Sequence, residues 1–371
     1  MIHAECVTDQ LRRRKVQKVC YIMSYRCPDY IRTRTLLAAL KRIQNIELSE
    51  AINTSRAFYR YIQTISLLLL IRIRENPELY ILGYRGYEIF IIVRFITIGK
   101  KLVFDHFISP HDSLINEKRS IHKSGVLDRL IFCYEKLILY LSDIVLADTI
   151  LHKNFFIQKF NVLPEKIIEI PVGTDEEMFH ASSLPFNKKH DDFNVLFYGT
   201  FLPLHGVDII LMAANVLRDK PIQFKIIGGK GRELKRFYNL IHGLTLYNVC
   251  HEMWAPYDTL PQMIHDADVC LGGPFSGTGQ AMRVISGKTF QSLAMAKPTI
   301  IGQIDHDYGF VDKENCLIVR QASYTELADK IAWCFENREK LHSIGENGYA
   351  LYKERFSIDI IKQIFQDQIL Y

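Results

Sequence analysis

Short runs rich in β-branched residues alternate with longer helical patterns along almost the whole chain, and that alternation admits few folds. In the first half, "KVCYIMS", "LYILG", "KLVFD", "DIVLAD" and "KIIEIPV" read as strands. Helical stretches over 34–43, 56–73, 127–141 and 150–160 lie between them. The stretch "GTDEEMFHASSLPFNKKHDD" then breaks the rhythm with charge, Ser and Pro, and reads as a linker. Beyond it the alternation restarts with "NVLFYGT", "IQFKIIGG", "NVCHEMW", "DVCLGG", "PTIIG" and "CLIV". Helices are expected over 207–217, 232–241, 260–265 and 288–296. A chain of 371 residues is too long for one ordinary core. The expectation is α/β: two Rossmann-like, doubly wound domains whose strand ends face a central cleft.

Charge and cysteine usage exclude several classes. A formal charge of +5, from 46 Lys and Arg against 41 Asp and Glu, is too mild to argue for nucleic acid. The cations are uneven, however, with "LRRRKVQK" followed by Arg32, Arg34, Lys41, Arg42, Arg56, Arg60, Arg72 and Arg74. Such a bias suits a solvated surface or attraction to an anionic membrane or a phosphorylated acceptor. Eight cysteines form no C-x-x-C pair and no zinc spacing, which fits a reducing cytoplasm. The runs "ISLLLLI" and "IFIIVRFITIG" fall short of the ~20 residues that a spanning helix needs. The N-terminus carries no signal-peptide pattern. A cytoplasmic location is expected, with peripheral contact at the inner membrane face left open. The amphipathic "SRAFYRYIQTISLLLLIRIR" has cations beside aromatics and suits either a membrane face or the packing of a helix on a sheet.

The stretch "AMRVISGKTFQSLAMAKPTII" carries the strongest local signal. Ser286 reads as an N-cap, and the helix must stop before Pro298. Phe290, Leu293 and Ala294 turn inward, while Lys288 and Gln291 share another face. Arg283 and Lys288 thus flank a helix start, where the dipole disfavours cations. A bound pyrophosphate would reconcile them by collecting orphan N–H groups and both positive charges. Three small-residue loops, "YGTFLPLHG", "IIGGKGREL" and "GGPFSGTGQAMR", follow strands and point to the same cleft edge.

These segments, with "PVGTDEEMF" and "WAPYDTLPQMIHDADVCLG", resemble in order and spacing glycosyltransferase family 4, the retaining nucleotide-sugar transferases of GT-B fold. The combination of "PLHG" with "RVI" and a following Lys resembles one subgroup. The resemblance implies an acceptor domain over 1–175, a linker over 176–193, a donor domain over 194–354 and a helix over 355–371 returning to the first domain. It implies donor contacts from Thr200, His205, Gly206, Gly228, Gly229, Trp254, Tyr257, Arg283, Lys288 and Gln291. Catalytic roles fall to Asp105, His111, Asp112, Arg283 and Lys288, with His111 and Asp112 orienting sugar hydroxyls. Arg32 and Arg34 stand where the family usually has a Gly-rich loop, and suggest contact with a phosphate on donor or acceptor. The common family pattern is altered at Thr200, His205, Arg283 and Gln291, so positive charge is relocated to Arg283 and Lys288. The expected partners are a nucleotide-diphosphate sugar and a glycan or lipid-linked acceptor, in polysaccharide or cell-envelope assembly. The sugar is a co-substrate, and neither a cofactor nor an essential metal is expected. The rival readings are a non-catalytic binding relative and a nucleotide-sugar epimerase of the same fold.

Overall fold

The computed structural model describes residues 16–117, 125–181 and 192–370. Most of "LRRRKVQK" and of the linker therefore lies outside the described residues. In the first half the elements run β1 Gln17–Met23, α1 Ile31–Lys41, β2 Ile46–Ile52, α2 Tyr59–Arg74, β3 Leu79–Leu82 and α3 Phe90–Ile96. They continue with β4 Lys101–Asp105, α4 Val126–Leu141, β5 Ile144–Ala147, α5 Ile150–Phe160 and β6 Ile167–Glu169. The second half begins with β7 Phe193–Gly199, α6 Val207–Val216, β8 Ile222–Gly228, α7 Gly231–Leu244, β9 Val249–Glu252 and α8 Leu260–Asp266. It closes with β10 Val269–Leu271, α9 Gly287–Ala294, β11 Thr299–Gly302, β12 Leu317–Val319, α10 Tyr324–Glu336, α11 Arg338–Arg355 and α12 Ile358–Phe365.

The strands form two six-stranded sheets, ordered β2-β1-β3-β4-β5-β6 and β12-β11-β10-β7-β8-β9. Every pairing between them is parallel. Strand order reverses beside β1 in the first sheet and beside β7 in the second, and such switch points open crevices at the carboxyl ends of strands. Period-two alternation sorts the first sheet's side chains. Val19, Tyr21 and Met23 pack with α1 and α12, whereas Cys20, Ile22, Tyr80, Leu82, Leu102 and Phe104 pack with α2, α3 and α4. The chain thus returns to its first domain, with Ile361 and Phe365 fully buried there.

The stretch after β6 is more than a connector. Phe179 is fully buried among Leu196, Tyr198, Ile227 and Leu260 of the second domain. Glu176 Oε1 accepts hydrogen bonds from Tyr352 Oη at 3.1 Å and the Ile358 backbone N–H at 3.0 Å. Gly173 has φ +63°, and an added Cβ would lie 2.9 Å from Ile361 Cδ1. The outgoing and returning chain segments therefore meet.

One buried side chain organises the strand ends of the first domain. Arg32, from the first turn of α1, is wholly enclosed. It donates to Asp105 at 3.0 Å and to the carbonyls of Ile170 and Pro171 at 2.7 and 2.8 Å. Burial raises the Asp105 carboxyl above its ordinary range, and the guanidinium opposes that shift. This corrects two expectations: Arg32 is no phosphate contact and Asp105 holds no catalytic role, because each is spent on the other inside the core. Leaving one charge buried alone should be costly, so Arg32→Met or Asp105→Leu singly is expected to destabilise the protein by about 3–5 kcal/mol. Denaturant titration should show the double variant recovering much of that loss.

Candidate functional site

The site starts at α9. Ser286 has the extended backbone of an N-cap, but its hydroxyl donates to the Gly272 carbonyl and caps nothing. No acidic residue lies in the first turn. Lys288 enters this turn and is 8% exposed. Its Nζ lies 5.2 Å from the centroid of the Phe197 ring, and no hydrogen bond or ion pair reaches it from the described residues. Burial lowers its pKa from 10.5 to about 8.

His205 closes the short turn Pro203–His205 after β7. Burial, and then the charge of Lys288, hold its pKa well below the ordinary value, so the ring is neutral at pH 7. Its Nδ1 is buried without a partner among the described residues. An added Cβ at Gly199 would stand 3.2 Å from His205 Cε1 and 3.6 Å from Lys288 Nζ, so both groups converge on the bare end of β7. Gly228 must also lack a side chain, since its Cβ would fall 1.9 Å from the Gly199 carbonyl oxygen. The Gly229 N–H donates to that oxygen at 3.1 Å. The Phe275 and Ser276 N–H groups bind the carbonyls of His205 and Leu204. Gly206, with φ +65°, leaves room for this contact. All three small-residue loops therefore meet at the uncapped start of α9.

Gln291, one turn further along α9, accepts from Tyr198 Oη at 2.8 Å and lies 3.5 Å from Tyr257 Oη. Tyr257 in turn packs under the Arg34 guanidinium, 5.2 Å away, and Arg34 pairs with Asp175 at 3.1 Å. Gln291 and Arg34 thus belong to a chain of contacts joining the domains beside the site. Thr200 is exposed next to Gly199. Trp254 is 75% exposed.

Arg283 reaches across the cleft. Its guanidinium pairs with Asp112 and stacks 4.3 Å from the Phe155 ring centroid, while its carbonyl accepts from the Thr149 hydroxyl. Asp112 is held by its N–H on Ser109 Oγ at 3.1 Å. His111 is buried, with Nε2 2.7 Å from Asp128 and its backbone N–H donating to Glu135. Glu135 also binds the buried His106 at 2.8 Å. This network fixes the loop that presents Asp112. Between the domains lies a cavity bounded by Arg85, Ser113, Leu202, Leu204 and Gln280. Sequence reasoning missed Arg85, whose guanidinium lies between the rings of Tyr25 and Tyr87 at 5.3 and 5.5 Å. Its only local signal was the turn "YRGY", where Arg85 takes φ +60°. Among the described residues no cluster of three or more His, Cys, Asp or Glu is placed to hold a metal ion.

Residues 192–337 match the family Glycosyl transferases group 1. An uncharacterised glycosyltransferase of Methanocaldococcus jannaschii is 25% identical over 261 residues, covering 68% of this chain and 65% of that protein's length. Sucrose-phosphate synthase from Thermosynechococcus elongatus superposes with a TM-score of 0.73 at 15% identity, over 94% of this chain and 98% of that one. HepE from Anabaena, solved with UDP-glucose, gives a TM-score of 0.71 at 16% identity over 94% and 98% of the two chains. The fold is GT-B.

The lone ammonium has a measurable signature. Its folded pKa is depressed, so between about pH 8 and 10.5 the unfolded chain binds the extra proton and stability rises with pH. Relative to the wild type, Lys288→Met should be more stable at pH 7 by roughly 3 kcal/mol, at 1.36 kcal/mol per pKa unit. Paired denaturant titrations from pH 7 to 10.5 should show that difference vanish.

Proposed function

We propose that the chain is a retaining glycosyltransferase, moving a sugar from a nucleotide-diphosphate sugar to a glycan or lipid-linked acceptor in polysaccharide or cell-envelope assembly. One observation carries the reading: Lys288 is a buried cation without a counter-ion among the described residues, at an uncapped helix start, beside the similarly unpartnered Nδ1 of His205 and the bare Gly199. A diphosphate supplies the missing negative charge and takes up the orphan N–H groups. A UDP-sugar is the first donor to try, and UDP the first ligand, because HepE was solved with UDP and with UDP-glucose.

In this reading the diphosphate leaves with the bonding pair of the broken C1–O bond, and the acceptor oxygen attacks C1 on the same face. The proton of the acceptor passes to the departing phosphate oxygen. The protein's share is position and charge: Lys288 and the N–H groups of α9 stabilise the leaving group. Arg283 exchanges Asp112 for phosphate, which frees Asp112 to orient sugar hydroxyls.

UDP, GDP and ADP should be titrated while the melting temperature is followed. One diphosphate is expected to stabilise the wild type, and Lys288→Met should weaken its binding ten- to hundredfold, the loss of about 1.5–3 kcal/mol for a charged hydrogen bond. Wild-type affinity should also fall as pH rises through about 8. Absence of stabilisation by any of the three would overturn the reading.

A further inference from the structure

The helices covering one face of the first sheet are apolar on both sides. Their inward stripes, such as Thr64, Leu68 and Ile71 of α2, fill the core. A surface helix normally turns polar residues outward. Here Ile62, Leu69 and Ile73 of α2, Ile91, Ile92 and Phe95 of α3, and Val126, Leu130, Tyr134, Leu137 and Tyr140 of α4 recur at helical spacing on the exposed side. Ile73, Phe95, Val126 and Tyr140 are each at least 75% exposed. A contiguous apolar face of this kind marks an interaction site.

Charge identifies the partner. The three helices carry Arg60, Arg72, Arg74, Arg94, Arg129 and Lys136 against Asp128 and Glu135, with Arg60 paired to Glu88 and Arg94 to Asp143 from outside the helices. Asp128 and Glu135 are both bound to histidines. Arg74, Arg129 and Lys136 stand exposed at the edges of the apolar stripes. Two copies of this face would oppose cation to cation, whereas an anionic lipid surface answers both the charge and the grease. Beside α4 a groove with an apolar wall lies between Leu130, Ile131 and Tyr134, whose hydroxyl donates to the Tyr87 carbonyl at 2.7 Å across it, and Tyr87, Pro110 and Leu114. The last three residues also line the interdomain cavity, so the two hollows share a wall.

We propose that α2, α3 and α4 seat the protein on an anionic bilayer, and that the groove beside α4 takes the hydrocarbon chain of a lipid-anchored acceptor drawn from it. The word acceptor rests on the transferase reading; the docking does not.

The full chain should be sedimented with vesicles of phosphatidylcholine alone and of phosphatidylcholine with one-third phosphatidylglycerol. Binding to the anionic vesicles is expected to be at least tenfold tighter and to weaken with salt. Phe95→Asp with Tyr140→Asp should abolish it while keeping the melting shift with UDP. Dansyl-undecanoic acid serves as probe for the groove. It should bind the wild type but not Ile131→Trp, which keeps vesicle binding, and Leu130→Glu provides a second block at the mouth. Equal binding to both vesicle types, vesicle binding unchanged in the aspartate variant, or a wild-type dimer that the aspartates dissociate would overturn the docking. Equal probe binding in both groove variants and the wild type would overturn the groove. Vesicle and probe binding without any response to nucleotide would uphold the docking and strike out the acceptor role.

Discussion

The near wall of the cleft depends on a guanidinium that never meets solvent. Arg32 draws the end of β4, the chain leaving β6 and the start of α1 onto one planar group, using three of its nitrogens. Phe107 covers it, with the ring centroid 5.6 Å away. The loop that carries His111 and Asp112 begins immediately after Asp105, so the position of Asp112 is inherited from a pair in the core. Such a pair adds little net stability, because desolvating both charges offsets most of their attraction. Its contribution is geometric: a planar fork accepts few arrangements of carboxylate and carbonyls.

The far wall is built in the opposite manner. Lys288 is buried with no carboxylate beside it among the described residues, His205 is held neutral, and α9 begins without a side-chain cap. Each of these lowers the stability of the empty protein. The three stand together where the loop after β7 meets α9. Arg283 is the exception: it is already neutralised, by a residue of the other domain. Any anion that recruits it must compete with Asp112, which couples binding to the spacing of the two walls.

Much of the architecture was legible in the sequence because buried parallel strands are nearly continuous apolar runs. All the strands read from such runs are present, and the helix expected at 288–296 runs Gly287–Ala294. β2 was missed because this edge strand, IELSEAI, carries Glu47, Ser49 and Glu50. α10 and α11 went unread beside the stronger signal of the final helix. At the site, glycines and Lys288 were visible because their peculiarity is local. The burial of Arg32 was invisible, since its partners lie 73 and 138 residues away. So was the double-sided character of α4: periodicity finds apolar faces but does not say which of two is covered.

Glu176 ties the two crossings of the chain between domains, binding Tyr352 and the backbone of Ile358 with one oxygen, while the other lies 3.5 Å from Arg42. A carboxylate at that position behaves as a pivot pin. Both connections are anchored there at one point. Any rotation about that pin would move most the atoms farthest from it, so a contact across the cleft such as Arg283 with Asp112 would act as the catch on a hinged case.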